Sequence, residues 1–452
     1  MATIIDRSRL ARLLAEEERR FDDLHPRSKA RAEHARRHLL GGVPMPWMTR
    51  LPGSFPLFFD HAQGARFVDV DGIEYVDFCL GDTGAMAGHG LPHVADALSR
   101  QARAGITTML PNDDAVWVGE ELARRFRLPI WQLAMTATDA NRFVLRFARF
   151  LTGRPRIVVM DWCYHGTVDE ALAVLDLDGA TSSRPGAIGA PVDVATTTKV
   201  VPFNNPGALA AALAAGDVAC VLMEPALTNI GIVLPDDGYL AEVRRLTREA
   251  GTLLVLDETH TICAGPGGCT TAWGLEPDLF VIGKTIGGGM PAAAYGMTED
   301  VAARLTAAID SSSIDVSGVG GTLSGNALAM AAVRATLSSS LRAEDFDRMV
   351  PLATAWTEGV RRAYEAVGFD WHVQQLGARA EYWFCPPPRD GASAAAAIDD
   401  ELDRFLHLWA LNRGVLLTPF HNMALFSPSH TMADVARHDA VFAQACAALA
   451  GP

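Results

Sequence analysis

Two kinds of hydrophobic spacing run along the chain. From about residue 112, apolar residues collect in short unbroken runs at 156–160, 200–203, 218–223, 253–256, 279–282 and 293–296. Runs of this length, rich in β-branched residues, suit strands buried on both faces of a sheet. The stretches between them carry helical spacing, and this alternation is the βαβ signature of a mainly parallel sheet covered by helices. The expected fold class is α/β, with a large domain over residues 85–335. Ahead of it, residues 6–40 carry leucines and charges at helical spacing, and the turn Gly41-Gly42-Val43-Pro44-Met45-Pro46 stops the predicted helix. Two alternating runs flank Asp71-Gly72 and predict a β-hairpin over 67–78. From residue 336 the pattern mixes helices with short strands at 382–384 and 415–417. This tail is expected to join residues 1–84 in a smaller α+β domain, and no internal repeat is visible.

Two of the apolar runs end in charge. Leu253-Leu254-Val255-Leu256 leads into Asp257-Glu258, and Leu279-Phe280-Val281-Ile282 leads into Gly283-Lys284 and three glycines. In α/β sheets, ligands bind at the carboxyl ends of the strands. An acid and a lysine delivered to one such edge suit pyridoxal 5′-phosphate (PLP). The amine forms a Schiff base with the aldehyde, and the acid pairs with the protonated ring nitrogen. Taken singly, a strand-end Asp also serves as a turn or helix cap, and a strand-end Lys as a solvated charge.

Three other stretches offer supporting chemistry. Met135 to Asn141, Met-Thr-Ala-Thr-Asp-Ala-Asn, opens a predicted helix whose amides and hydroxyls can hold an anion; the same residues also make a plain N-cap. Trp162-Cys163-Tyr164-His165-Gly166 follows a strand and can lay an aromatic face on a cofactor ring, or pack Tyr164 into the core. Gly320-Gly321-Thr322-Leu323-Ser324-Gly325-Asn326 opens another helix with amides and hydroxyls.

Composition narrows the class. The 452 residues are 49% hydrophobic and 20% charged, as in an ordered globule of two or three subdomains. A net charge of −14 disfavours nucleic acid as a partner. No run of apolar residues is long enough to span a membrane, and the charged N-terminus lacks a secretory core. Seven scattered cysteines with no C-x-x-C pair fit a reducing cytoplasm and argue against a zinc or disulfide framework.

The ordered set of motifs resembles the class III, fold type I, PLP-dependent aminotransferases, especially the glutamate-1-semialdehyde aminomutase-like branch. The resemblance runs from about residue 38 to about 440. It rests on 65–72, Tyr164-His165-Gly166, Glu224-Pro225, Asp257-Glu258, 283–289 and 321–326. It implies a large domain around a mainly parallel, seven-stranded type of sheet. It also implies that Lys284 carries PLP covalently and shuttles the substrate proton, while Asp257 keeps the ring nitrogen protonated. Tyr164 would stack on the ring, Ala137 and Thr138 would bind the phosphate, and Asn229 would lie near the phenolic oxygen. Thr322 would reach the phosphate of a neighbouring subunit, so the expected assembly is a homodimer with composite sites.

Four positions depart from the family pattern. The phosphate turn has Thr136-Ala137-Thr138-Asp139-Ala140 in place of Ser-Gly-Thr-Glu-Ala, and Ala137 there requires a negative φ. Thr259 replaces a ring-packing valine, adding a hydroxyl that needs a partner, and His260 follows as a pocket wall or a catalytic group. Met48, in Met45-Pro46-Trp47-Met48, aligns with the aminomutases' substrate-carboxylate arginine, with Arg50 two residues away. Residues 418–423, Thr-Pro-Phe-His-Asn-Met, replace an Ala-Pro-Ser-x-Phe-Glu type of segment. Trp47, Met48, Arg50, His260 and His421 are thus the candidate substrate residues, and Trp47, Met48 and Phe420 make the expected pocket apolar.

The expected function is a PLP-dependent transaminase in the cytoplasm. It would move an amino group from an amine, ω-amino or β-amino acid to a keto acid or aldehyde. The alternatives are an aminomutase that returns the amine to the same carbon skeleton, a PLP lyase or racemase, and a cofactor-free binding protein on a retired enzyme fold. No metal is expected.

Overall fold

The computed structural model describes residues 4–189, 193–310 and 318–451. The chain divides into two compact units, one formed by Pro92–Ala343 with Pro388–Ala396, the other by Met1–Leu91, Glu344–Pro387 and Ala397–Pro452.

The first unit is built on a seven-stranded sheet. Its order is Ile130–Ala134, Ala293–Met297, Leu279–Ile282, Leu253–Asp257, Val218–Met223, Arg156–Met160 and Thr198–Val201. The last five pair in parallel, while Ala293–Met297 runs antiparallel to both of its neighbours. Every residue of the four strands from 218–223 through 293–297 is buried, which is why these runs read as continuously apolar. Helix Ala137–Thr152 packs across the sheet. The register pairs Asp257 with Val281, so Asp257 and Lys284 leave adjacent parallel strands at the same end.

The expected hairpin forms from Arg66–Asp69 and Glu74–Asp77, within a four-stranded sheet of the second unit. The predicted helix over 6–40 is two helices, Arg7–Leu24 and Pro26–Ala35. Pro26 has no N–H and its ring would clash with a preceding carbonyl, so the helix breaks at His25. His25 is buried there, with Nδ1 2.7 Å from Phe21 O and Nε2 2.7 Å from Tyr75 Oη. Arg413 donates to Glu17 Oε1 at 2.8 Å and Asn412 to Glu17 Oε2 at 2.7 Å, tying the N-terminal helix to the C-terminal segment. Among the described residues no helix is long and apolar enough to cross a membrane.

Candidate active site

Asp257 ends its strand with its side chain buried and fully engaged. Oδ2 accepts from Asn141 Nδ2 at 2.8 Å and lies 2.9 Å from His165 Nδ1. Oδ1 accepts from the Thr259 N–H at 3.1 Å. Burial alone would raise the Asp257 carboxyl. The hydrogen bond and charge of His165, with the bonds from Thr259 and Asn141, outweigh it and hold the group at about 2. Burial would likewise lower the His165 imidazole, but Cys163 and Asp257 beside it raise it well above the ordinary range. Asp257 is therefore an anion at neutral pH, poised for a cationic partner. The buried Thr259 hydroxyl has no hydrogen-bond partner among the described residues.

Glu258 points the other way and is structural. Its carboxylate accepts from Thr261 Oγ1 and from the Cys269 N–H, each at 2.8 Å, and from the Thr270 N–H. Gly268 makes room for it, since a Cβ there would lie 2.3 Å from Glu258 Oε2.

The turn before helix Ala137–Thr152 is capped by Thr136, whose Oγ1 accepts from the Asp139 N–H at 3.2 Å. Ala137 and Thr138 are then the first helical residues, where amide N–H groups lack intrahelical acceptors. Ala137 is not among the residues with positive φ, so the missing glycine leaves no strain. Two glycines press on this turn. A Cβ on Gly166 would lie 2.1 Å from Thr138 Oγ1, and one on Gly283 would lie 3.0 Å from Ala137 Cβ. Thr138 Oγ1 also accepts from the Thr167 N–H at 3.1 Å.

Lys284 follows Gly283 with φ of +52°, a left-handed backbone that lysine rarely adopts and that clusters at functional sites. Its Nζ lies 2.9 Å from His260 Nε2. Asn229 donates to Trp162 O at 3.0 Å, and half-buried Tyr164 lies two residues beyond Trp162.

The model of the family described as aminotransferase class III matches residues 48–441. The chain belongs to this family. A class III relative named glutamate-1-semialdehyde 2,1-aminomutase, from Sorangium cellulosum, is 36% identical over 433 residues, covering 94% of this chain and 97% of its own. A crystal structure of a glutamate-1-semialdehyde-aminomutase from Pseudomonas aeruginosa PAO1 superposes with a TM-score of 0.97 at 49% identity, covering 98% and 99% of the two chains. A lysine-to-alanine variant of that protein was solved in complex with PMP. A β-phenylalanine aminotransferase from Variovorax paradoxus superposes with a TM-score of 0.84 at 27% identity, over 96% and 97%.

As a class III aminotransferase this protein is a PLP-dependent enzyme of fold type I. Its residues fit that cofactor. A buried, ionised carboxylate and an amine stand at adjacent strand tips, and a helix start lies under two glycines that leave no room for side chains.

Ala137, Thr138, Tyr164, Asn229, Asp257, Thr259, His260 and Lys284 all belong to the unit that carries the large sheet. So does Thr322, which is exposed beside an open groove of about 580 Å³ lined with Thr108, Met109 and Leu110. The remaining candidates belong to the other unit. Trp47, Met48 and Arg50 are exposed on the 3₁₀ turn Pro46–Arg50. Trp47 meets Phe420 edge to face at 5.5 Å, and His421 Nδ1 lies 3.2 Å from Glu381 Oε1.

Sequence reasoning missed Asn141 and His165 as holders of Asp257. His165 stands inside the recognised Tyr164-His165-Gly166 motif, and Asn141 closes the phosphate-turn stretch. The available signal was a polar residue on the otherwise apolar buried face of a helix, and a histidine following a strand.

Proposed function

We propose that this enzyme moves an amino group within a single substrate, an amino aldehyde of the glutamate-1-semialdehyde type. The observation that carries this reading is the 0.97 TM-score at 49% identity to the Pseudomonas protein of that name, over nearly the full length of both chains. The named curated relatives, at 32–36% identity, support it. It replaces intermolecular transamination, the expectation from sequence, as the leading reading.

When bound, PLP supplies an electron-withdrawing ring that makes the C–H bond beside an attached amine acidic. The protein's residues do the rest. Asp257, an anion held by His165 and Asn141, is the partner for the ring-nitrogen proton. The amides at Ala137 and Thr138 receive the phosphate at a helix N-terminus. Tyr164 and Thr259 would flank the ring, and Asn229 would offer a polar group to its phenolic oxygen. Lys284 Nζ would hold the cofactor and, as a free amine, would move the proton between the substrate carbon that bears the amine and the cofactor. The assembly we propose is a cytoplasmic homodimer, in which each protomer's exposed Thr322 completes the phosphate site of the other.

The test is PLP-loaded protein with glutamate-1-semialdehyde and no keto acid. The isomer carrying its amine on carbon 1 is the expected product. An absolute need for pyruvate or 2-oxoglutarate would instead support transamination. One observation favours that second reading: apolar, exposed Met48 stands on the turn Pro46–Arg50 at the position that the resemblance assigns to the arginine holding the substrate carboxylate.

A further inference from the structure

Lys284 Nζ and His260 Nε2 are 2.9 Å apart. His260 is half-buried on the turn that follows the Leu253–Asp257 strand, as the residue before the 3₁₀ turn Thr261–Ala264. Its position is imposed from both sides. Asp257 binds the Thr259 N–H, and Glu258 binds Thr261 Oγ1 and the Cys269 and Thr270 N–H groups. The Ile262 N–H returns to Glu258 O at 3.0 Å. Two consecutive carboxylates thus clamp the segment that carries the imidazole. The Lys284 backbone is left-handed, with φ of +52°. The backbone is thus set at both ends of the contact.

An ammonium has three N–H donors and no lone pair. Before Lys284 can attack an aldehyde or accept a proton from carbon, it must give one up. Imidazoles as a class exchange protons near neutrality, and one lies within hydrogen-bond reach of the amine. We infer that His260 is the proton partner of Lys284. Nε2 takes one proton from the Lys284 ammonium, leaving a neutral amine and an imidazolium. It returns that proton when the amine must again be charged. The exchange conserves protons and needs no other reactant. A neutral His260 that accepts at Nε2 carries its own hydrogen on Nδ1.

The inference rests on the reading of Lys284 as the reactive amine, so the experiment separates the two. The full-length protein is stripped of cofactor, PLP is added at neutral pH, and samples are quenched with borohydride over time. Intact mass then reads the covalently labelled fraction, without any substrate. We expect His260→Ala to capture PLP at least ~10-fold more slowly than the parent, and free imidazole to restore part of the rate. His260→Gln keeps a hydrogen-bond acceptor but cannot carry a proton, so it is expected to be slow as well, and it carries the test if the alanine variant fails to fold. Capture by His260→Gln within about twofold of the parent rate overturns the inference, whatever the alanine variant does. Covalent labelling that persists in Lys284→Ala overturns the reading of Lys284, and this inference with it.

Discussion

His165 Nδ1 lies 2.9 Å from Asp257 Oδ2, and both side chains are buried. Removing one member of such a pair leaves the other charge uncompensated. His165→Ala is expected to cost about 3 kcal/mol, the low end for a broken buried pair, because Asn141 and the Thr259 N–H still bind Asp257. Urea unfolding would measure it. The pH dependence has a definite sign. Asp257 is held at about 2, below its ordinary 3.8, so its stabilisation is present above about 3.8 and lost as pH falls toward about 2. The variant's acid-unfolding midpoint should therefore move to higher pH. A midpoint that stays put would mean that His165 does not hold Asp257 ionised.

Lys284→Ala should abolish turnover while PLP still binds without a covalent link. Borohydride treatment followed by intact-mass measurement should show no added mass, and dialysis should then remove the cofactor.

Gly166→Ala should damage the phosphate turn. The added Cβ would meet Thr138 Oγ1 at 2.1 Å, at a φ of +79° that alanine resists. We expect a loss of about 1–3 kcal/mol, from strain at the turn. The upward shift in melting temperature on adding PLP should also shrink. A parent-like shift would argue that this turn does not receive the phosphate.

Asp403 gives a pH test far from the chemistry. Burial pushes its carboxyl up to about 7. The bond from Asn422 Nδ2 at 2.7 Å only partly offsets this, and the charges of Asp399, Asp400 and Glu381 add to it. A carboxyl raised above its unfolded value contributes stability that is full below about 3.8 and lost as pH rises through about 7. Asp403→Asn removes that titration. It should gain melting temperature over the parent at pH 8 relative to pH 5, and an equal difference at both pH values would refute the assignment.

The buried strands were legible because both faces are covered: 156–160, 218–223 and 279–282 match strands to the residue. Ile130–Ala134 escaped because it is an edge strand with alternating exposure, and Phe59–Gln63 because it is mostly exposed and polar. The break at His25 was written in Pro26 but overridden by the surrounding helical spacing. At the site, Asp257 and Lys284 were visible as charges that end apolar runs. The roles of His165 and Asn141 were not, because they arise only when a loop and a helix start converge on one strand tip. The tethering of Glu258 to the Cys269 and Thr270 amides is of the same kind.

Ala137 stands where the family keeps a residue without a side chain, and the methyl it brings has to go somewhere. Across from it is Gly283, whose bare α-carbon leaves that methyl its clearance. That clearance stands at the strand end beside Lys284. Gly283→Ala would bring a second methyl to 3.0 Å from that of Ala137, so Ala137 is tolerated only while the strand end facing it stays bare.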